Sequence, residues 1–452
     1  MSELPLHITL SDFFLSIIFI GIIFFAAWIV RIGYAQNPCY RFFLSGLVVK
    51  IFGAISVCLV YMYYYPSGGD TLHYFYSSKV VGSLIFNHPS SLFRIVFLND
   101  ISVETLAQFN SHTGWPDFTN DYFSFFLVRV VTPLSLISFG NFIACSILLA
   151  ALSYIGIWKL YLVFCRQFPS LVNQMAIAIL FMPSVVFFGS GILKDTVTFS
   201  SLGWFVYGLH SILGKRYSAR YFLIIIISAY FLLSIKPYIL YAVLIASIVW
   251  FAANYLKSES LAIMRYVYAP ALLIVFSLTS VLAILSLGSN KGRFSISEMQ
   301  KEMTIRRNSY DPSPPGSKFQ IQPIGNSFPS LVANAPSLIC ATLFRPFIWE
   351  TGGNAMMIFL ALENLFMVAF FALLLYKSRI IFLPRKIFSN PFIIFSVCLV
   401  LIFSFMVGIS TDNFGTLARF RIPIVPFFVA ACFILNKMDD TLAVGPILKT
   451  HS

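Results

Sequence analysis

The sequence predicts an all-α membrane protein, a polytopic bundle of about eleven transmembrane helices. The chain has 452 residues, of which 59% are hydrophobic and only 10% are charged. So few charges could not cover the surface of a soluble protein of this size. Several apolar runs also reach the roughly 20 residues that a helix needs to span a bilayer, whereas a β-barrel would show short alternating segments.

The net charge of +13 reflects membrane topology and does not indicate nucleic-acid binding, because Lys and Arg collect in the cytoplasmic loops of membrane proteins. The seven cysteines lie mostly inside apolar runs and show no spacing of a disulfide framework or a metal site. The N-terminus carries Glu3 and no basic residue before its first apolar stretch. It therefore lacks the start of a cleaved signal peptide, and we predict that this stretch is a true span.

The predicted spans follow the apolar runs along the chain. They cover 13–31, 42–65, 142–163, 172–190, 196–213, 221–235, 237–255, 266–287, 354–376, 389–409 and 417–435. One further apolar segment, 122–138, is interrupted by Arg129 and Pro133. If it does not cross, the basic clusters of the chain all fall on one side, as the positive-inside rule requires. We therefore predict an interfacial or re-entrant helix there, on the outer face.

This threading places the N-terminus outside and the C-terminus in the cytoplasm, in a multi-pass protein of the inner (cytoplasmic) membrane. It predicts one membrane domain, 1–452, with two long outer regions. The first, 66–141, is rich in acids and in short amphipathic stretches. The second, 288–353, opens with mixed charges and many Pro, Ser and Gly residues and then turns apolar, which indicates another surface-lying helix.

A candidate catalytic acid follows the second span in the stretch "YPSGGDTLHYFY". Asp70 comes directly after two glycines, which allow a sharp turn that could bring the carboxylate close to a substrate. A carboxylate in a glycine turn is also a common structural feature. His73 lies near enough in sequence to approach Asp70, although a single loop histidine is more often solvated.

Charged residues recur at the predicted outer ends of other spans. Outer Lys and Arg oppose the topology signal, so each needs a local reason. A lipid-borne phosphate would supply one, because Arg offers a planar fork and Lys a point charge. For any single residue, snorkelling toward lipid headgroups is an equal alternative. The candidate substrate-binding residues are Lys194, Asp195, Lys236, Arg345, Glu350, Asp412, Asn413, Arg419 and Arg421.

Two further features bear on the chemistry. Glu363 lies within a predicted span, where a carboxylate is a functional candidate that could also hydrogen-bond across helices. The six histidines show no paired spacing of a metal site, so no metal ligands are predicted and the use of a divalent cation stays open. A cationic cradle for a leaving phosphate beside a carboxylate base is the combination that a lipid-linked sugar donor requires.

The order of these features resembles the GT-C superfamily of integral-membrane glycosyltransferases. The resemblance rests on one outer acid after an early span, amphipathic outer stretches, "PLSLISFGN", and then a span that ends in basic residues. It implies a GT-C-like fold with juxtamembrane helices at 122–138. It also implies that Asp70 is the catalytic base and that the donor is a polyprenyl-phosphate sugar. This chain departs from the pattern in an additional first span and in having no second carboxylate beside Asp70.

Four stretches are also similar to envelope-polysaccharide membrane proteins of Bacteroidetes-type bacteria. They are "PSVVFFGSGILKDT", "KPY", "LFRPFIWE" and "NFGTLARFRIPIVP". The expected function is transfer of a sugar from a polyprenyl-phosphate donor to an envelope glycan or lipid-linked acceptor. An O-antigen or exopolysaccharide polymerase or ligase is the first alternative, and a transporter of lipid-linked glycans is the second. The expected partners are the donor, the acceptor and membrane lipids, without nucleic acid.

Overall fold

The computed structural model describes residues 10–65, 69–258, 328–411 and 413–438. Within these ranges the secondary structure is helical and contains no β-sheet. The predicted span 266–287 and residues 288–327 of the second outer region lie outside the described residues, as does Asp412. The chain divides into two compact units, Met1–Leu240 and Tyr241–Ser452, which we call unit one and unit two.

Unit one contains twelve described helices and the start of a thirteenth. They are α1 (Leu10–Gly33), α2 (Phe43–Tyr63), α3 (Gly69–Gly82), α4 (Leu84–Asn87), α5 (Pro89–Leu98), α6 (Val103–Leu106), α7 (Tyr122–Ile137), α8 (Phe142–Gln167), α9 (Val172–Leu180), α10 (Pro183–Phe188), α11 (Lys194–Leu213), α12 (Ala219–Ile235) and α13 (Pro237–Ser258). In unit two the described part continues with α14 (Phe328–Phe344), α15 (Ala355–Phe388), α16 (Pro391–Ser410), α17 (Phe414–Phe420) and α18 (Val425–Lys437).

The described helices support a multi-pass membrane protein. Six of them are long and apolar enough to cross a bilayer. These candidate spans are Phe13–Gly33, Pro38–Tyr63, Phe142–Gln167, Pro237–Tyr255, Ala355–Ser378 and Pro391–Ser410. The pair α17 and α18, bent by 66°, makes a seventh if it is counted as one span.

Other apolar runs form shorter or more polar helices. Residues 172–190, predicted as one span, break into α9 and α10, because Pro183 opens a new helix. The helix α12 has 17 residues. The helix α11 has 20 residues but contains Thr, Ser, Gly and two charged residues, and it is not among the six.

In unit one, α8 is the central helix. Beside it α2 runs antiparallel, since Tyr154 donates to the carbonyl of Phe43 at 2.8 Å and the ring of Trp158 lies 4.9 Å from that of Phe43. On another side α8 and α11 approach closely through Gly156 and Gly203, where an added Cβ would meet backbone atoms at 2.3 and 2.2 Å. Small residues at such contacts allow two membrane helices to pack backbone to backbone.

The helix α7 forms at the segment that was predicted to be interfacial. Much of it is buried in unit one, including the side chain of Arg129. The guanidinium of Arg129 donates to the carbonyls of Val96 at 2.8 Å and Phe97 at 3.1 Å, which lie in the last turn of α5. A cation at a helix C-terminus satisfies carbonyls that the helix leaves without partners, so Arg129 joins α5 to α7.

In unit two, the C-terminal end of α14 packs against α16. The hydroxyl of Thr342 on α14 donates to the carbonyl of Ser404 on α16 at 2.8 Å. One turn earlier, Gly408 on α16 lies so close to Leu338 that an added Cβ would come within 2.7 Å of its carbonyl oxygen. These contacts fix the C-terminal end of α14, from which the chain continues through Arg345 and a cis Pro346.

Candidate active site

The predicted catalytic acid, Asp70, is exposed in the first turn of α3. The preceding Gly69 has φ of +53°, and a Cβ there would meet the ring of Tyr61 at 2.8 Å. Only glycine fits this turn without strain, since the left-handed backbone disfavours other residues and the tyrosine fills the space. The glycine turn therefore sets α3 against the end of α2, and the predicted approach of Asp70 to a substrate stays a prediction.

A buried hydrogen bond holds this turn against a distant part of the chain. The hydroxyl of Thr71 donates to the carbonyl of Ile192 at 2.7 Å. Ile192 lies in the short connection between α10 and α11, two residues before Lys194. The turn that carries Asp70 and the turn that carries Lys194 are thus neighbours, although more than a hundred residues separate them.

The turn that carries Lys194 lies below the ends of the long apolar helices beside it. Gly191 packs against Val57, which precedes the end of α2 by about six residues, or roughly 9 Å at 1.5 Å per residue. The parallel helices α8 and α11 show a similar displacement between their N-terminal ends. Gly156 packs against Ser200, so α11 starts about eight residues, or roughly 12 Å, below the start of α8.

The side chain of Lys194 is largely buried, with 19% of it exposed. Its Nζ lies 3.8 Å from Oδ2 of Asp121, an ion pair longer than a hydrogen bond. Asp121 also accepts from the backbone N–H of Phe123 at 3.1 Å and from the Ser124 hydroxyl at 2.5 Å, and it thereby caps α7. We refer to Asp70, Thr71, Asp121, Ile192 and Lys194 as the Lys194 cluster.

The pKa of Asp121 reflects these contacts. Burial opposes its ionisation, but the Ser124 hydroxyl, the Lys194 ammonium and two backbone N–H groups outweigh burial and hold the pKa of this carboxyl below its usual value. Asp121 is therefore a carboxylate at neutral pH. Three helix N-termini, those of α3, α7 and α11, lie at this cluster and add positive partial charge to it.

The next two predicted site residues form a buried ion pair. Oδ1 of Asp195 lies 2.5 Å from Nζ of Lys236, and 0% and 7% of the two side chains are exposed. Asp195 lies in the first turn of α11, and Lys236 follows the last residue of α12. Each charge therefore also interacts favourably with the dipole of its own helix. Both side chains are buried and bind each other inside unit one, which favours a structural role for the pair over direct contact with a substrate.

His73, the secondary candidate, also has an acidic partner. Its Nδ1 lies 2.9 Å from Oδ2 of Asp117, and the backbone N–H of Asp117 in turn donates to Ser77 at 2.9 Å. Asp70, His73 and Ser77 are spaced by three and four residues, so they share one face of α3. The loop that carries Asp117 therefore runs along the face on which Asp70 lies.

In unit two, Arg345 and Glu350 form an ion pair at the turn after α14. Nε of the arginine lies 2.9 Å and 3.1 Å from the two carboxylate oxygens, and its Nη2 also contacts Oε1. Glu350 further accepts from the backbone N–H of Phe347 at 2.8 Å. The guanidinium lies 5.3 Å from the ring centroid of Phe414. Both charged side chains remain partly exposed.

Arg421 is fully buried in unit two and serves as a structural connector. Its guanidinium donates to the carbonyls of Leu343 and Arg345, both at 3.1 Å, and to Oδ1 of Asn364 at 2.5 Å. Buried Glu363, the other secondary candidate, interacts electrostatically with this arginine. Arg421 thus ties the end of α14 to α15, and we leave it out of the ligand set proposed below.

The remaining candidates lie around the start of α17. The side chain of Asn413 caps this helix, accepting from the backbone N–H of Gly415 at 2.8 Å and of Thr416 at 3.2 Å. Arg419 is half-buried in the last turn of the same helix. In unit one, the turn of Asp70 neighbours the turn of Lys194 and Asp195, and Asp195 pairs with Lys236. In unit two, Arg345 pairs with Glu350, and Arg421 donates to the carbonyl of Arg345.

Some residues at these places were not predicted. Lys50, within α2, is buried and donates to the carbonyl of Gly189. A lysine inside an apolar run was the available signal. Asn364 and Asp121 carried no such signal, because a single amide in a span and a single acid before a helix are both common.

Among the described residues, no group of three His, Cys, Asp or Glu side chains is close enough to hold a metal ion. Comparison of the chain with protein-family models, curated proteins and solved structures returned no match.

Proposed function

We propose that this protein is a membrane glycosyltransferase. It would move a sugar from a polyprenyl-phosphate donor to an envelope glycan or lipid-linked acceptor. The observation that carries the proposal is the hydrogen bond between Thr71 and Ile192, which joins the turn of an exposed acid, Asp70, to the turn of a largely buried cation, Lys194. The turn that carries Lys194 lies roughly 9 Å below the end of α2, and a buried cation at that depth is a candidate ligand for the phosphate of a lipid carrier.

The proposed reaction uses these two residues in separate roles. The acceptor hydroxyl attacks the anomeric carbon of the donor sugar, and Asp70 takes the hydroxyl proton as that bond forms. The bond from the anomeric carbon to the phosphate oxygen breaks, and its electron pair leaves with the lipid phosphate. Lys194 and the N-termini of α3, α7 and α11 stabilise the charge on that phosphate.

The buried pair Asp195–Lys236 and the carboxylate of Asp121 would hold Lys194 in place. Arg345 and Arg419 of unit two keep part of their side chains accessible. The proposal includes the finer topology: about eleven spans in the inner membrane, the N-terminus outside, and chemistry on the outer face. It also includes the GT-C-like fold.

The test is sugar transfer by purified protein in liposomes, offered a panel of labelled polyprenyl-phosphate sugars. Asp70→Asn is expected to insert and fold normally and to lose about 10²–10⁴-fold in turnover, because the proton acceptor is removed. Glu104→Gln, which changes an exposed acid in α6 of the same region, is the matched control and should keep full activity. Equal turnover in Asp70→Asn and wild type would remove Asp70 from the mechanism.

The product separates the proposal from its two alternatives. Addition of one sugar supports a transferase, whereas a ladder of repeat units would identify a polymerase or ligase. Movement of an intact lipid-linked glycan across the membrane without a new glycosidic bond would identify a transporter. Cysteines placed at position 70 and at position 218, in a background without other reactive thiols, should label from opposite sides of the membrane.

A further inference from the structure

An ordered loop lies along the face of α3 that carries Asp70. The loop spans residues 110–118, and its contacts with α3 come at regular helical spacing. The Asp117 side chain pairs with His73, the ring of Phe118 lies 4.8 Å from that of Tyr74, and the backbone N–H of Asp117 donates to Ser77. These contacts continue the stripe that begins at Asp70.

The loop has a defined shape of its own. Oδ1 of Asn110 accepts from the backbone N–H groups of His112 at 2.8 Å and Thr113 at 3.2 Å, which closes a turn. Gly114 follows with φ of +77°, and an added Cβ would meet the hydroxyl of Tyr76 at 2.3 Å. This glycine allows the loop to pass directly over α3, and the next residue along the chain is Trp115.

Trp115 is 56% exposed, although the loop beneath it is fixed by these contacts. Two polar groups are partly exposed on the same loop and helix: 30% of the His73 side chain and 43% of the Asp117 side chain. Nδ1 of His73 and Oδ2 of Asp117 form a hydrogen bond of 2.9 Å, and each side chain carries a second polar atom, Nε2 and Oδ1 respectively. The surface thus combines an apolar ring with hydrogen-bonding groups.

We propose that this surface, formed by His73, Trp115 and Asp117, binds a hexopyranose unit of the acceptor glycan. One face of a pyranose presents C–H groups that pack on an aromatic ring, while its hydroxyls need acceptors at the edge. The position fits an acceptor, because the surface continues the face of α3 that begins at Asp70, the proposed base. This inference rests on the proposed function for the identity of the sugar as acceptor.

The first experiment measures binding and does not require turnover. Protein in lipid nanodiscs is treated with N-bromosuccinimide, and oxidation of Trp115 is followed by peptide mass spectrometry. A panel of free di- to tetrasaccharides is added as the probe. At least one glycan should slow oxidation of Trp115 by about tenfold, the effect of roughly 1.4 kcal/mol of binding. Trp349 in unit two, 81% exposed, is the internal control and should react at an unchanged rate.

Two results would overturn the inference. If no glycan protects Trp115, the surface does not bind a sugar. If Trp115 is instead quenched by brominated lipids and responds to no glycan, it is an aromatic anchor at the membrane interface.

A second experiment uses the transfer assay. Trp115→Ala should raise the acceptor KM about tenfold, with the donor KM and kcat unchanged, since stacking is lost equally in the ground and transition states. Trp115→Phe keeps an aromatic face and should restore most of the affinity. Protection of Trp115 in a protein that transfers no sugar would leave the subsite standing and refute the proposed reaction. Transfer that is indifferent to both variants would refute the subsite alone.

Discussion

The buried ion pair between Asp195 and Lys236 gives the sharpest stability prediction. At 2.5 Å and an effective dielectric constant of about 20, two unit charges attract each other by roughly 7 kcal/mol. The cost of removing both charges from water offsets much of this attraction, so the net contribution of the intact pair is far smaller. The cost of breaking the pair is larger, because the remaining charge has lost its partner in a site with 0% exposure on the acid.

Lys236→Met is therefore expected to destabilise the protein by about 3 to 5 kcal/mol. Removing both charges, with Asp195→Leu and Lys236→Met together, should recover most of that loss, since no unpaired charge stays buried. Lys215→Met, which changes an exposed lysine after α11, is the matched control and should alter stability by less than about 0.5 kcal/mol.

The assay is thermal unfolding in detergent with a dye that fluoresces on reaction with thiols. It suits this chain because Cys58, Cys145, Cys165, Cys398 and Cys432 are buried and become reactive only on unfolding. The order of midpoints should be wild type and Lys215→Met highest, the double variant next, and Lys236→Met lowest. A Lys236→Met midpoint equal to that of the control would show that the pair is not buried as described.

Three further predictions concern other contacts. Arg421 is fully buried, and Arg421→Met should lower the free energy of unfolding by about 3 to 5 kcal/mol, because the oxygens that accept from the guanidinium lose their donor. Arg421→Lys should lower it somewhat less, and the same thermal assay measures both variants. The pKa of Asp121 is lower in the folded than in the unfolded protein, so its contribution to stability is present above about pH 4 and is lost as the pH falls through the folded pKa. In Asp121→Asn the unfolding midpoint should therefore fall less steeply with decreasing pH than in wild type. Gly69→Ala should cost about 1 to 2 kcal/mol because of its positive φ and the ring of Tyr61, whereas Gly33→Ala, with nothing within 4 Å, should not.

The positions of the helices were largely readable from the sequence. The starts of α8 and α16 coincide with Asn141 and Asn390, whose side chains cap these helices in front of apolar runs. Such caps combine a polar residue with the edge of a hydrophobic segment, and both are local signals. Pro183 also marks the break between α9 and α10, although the apolar run of nearly twenty residues around it predicts a single span.

The roles of individual charges were much less readable. Lys194 and Asp195 are adjacent, yet one is partly exposed and the other is fully buried, because neighbouring residues on a helix point about 100° apart. Arg419 and Arg421 present the same difficulty two residues apart. Which member faces the interior depends on partners such as Asn364, which lies far away in the sequence. Tertiary packing decides which of the two side chains is buried, and the amino-acid composition of the segment does not indicate it.

These partners also affect how strongly the basic residues indicate phosphate binding. Basic residues near the predicted outer ends of spans oppose the topology rule, and binding of a substrate phosphate is one reason for their presence there. In the structure, Lys236 and Arg421 have internal acceptors that account for them without any ligand. A count of outer cations is therefore weak support for phosphate binding. What remains specific is that the turn of exposed Asp70 contacts the turn of Lys194, whose ammonium lies 3.8 Å from Oδ2 of Asp121. If Lys194→Met left donor KM and kcat unchanged while Asp70→Asn abolished transfer, the phosphate would have to bind elsewhere.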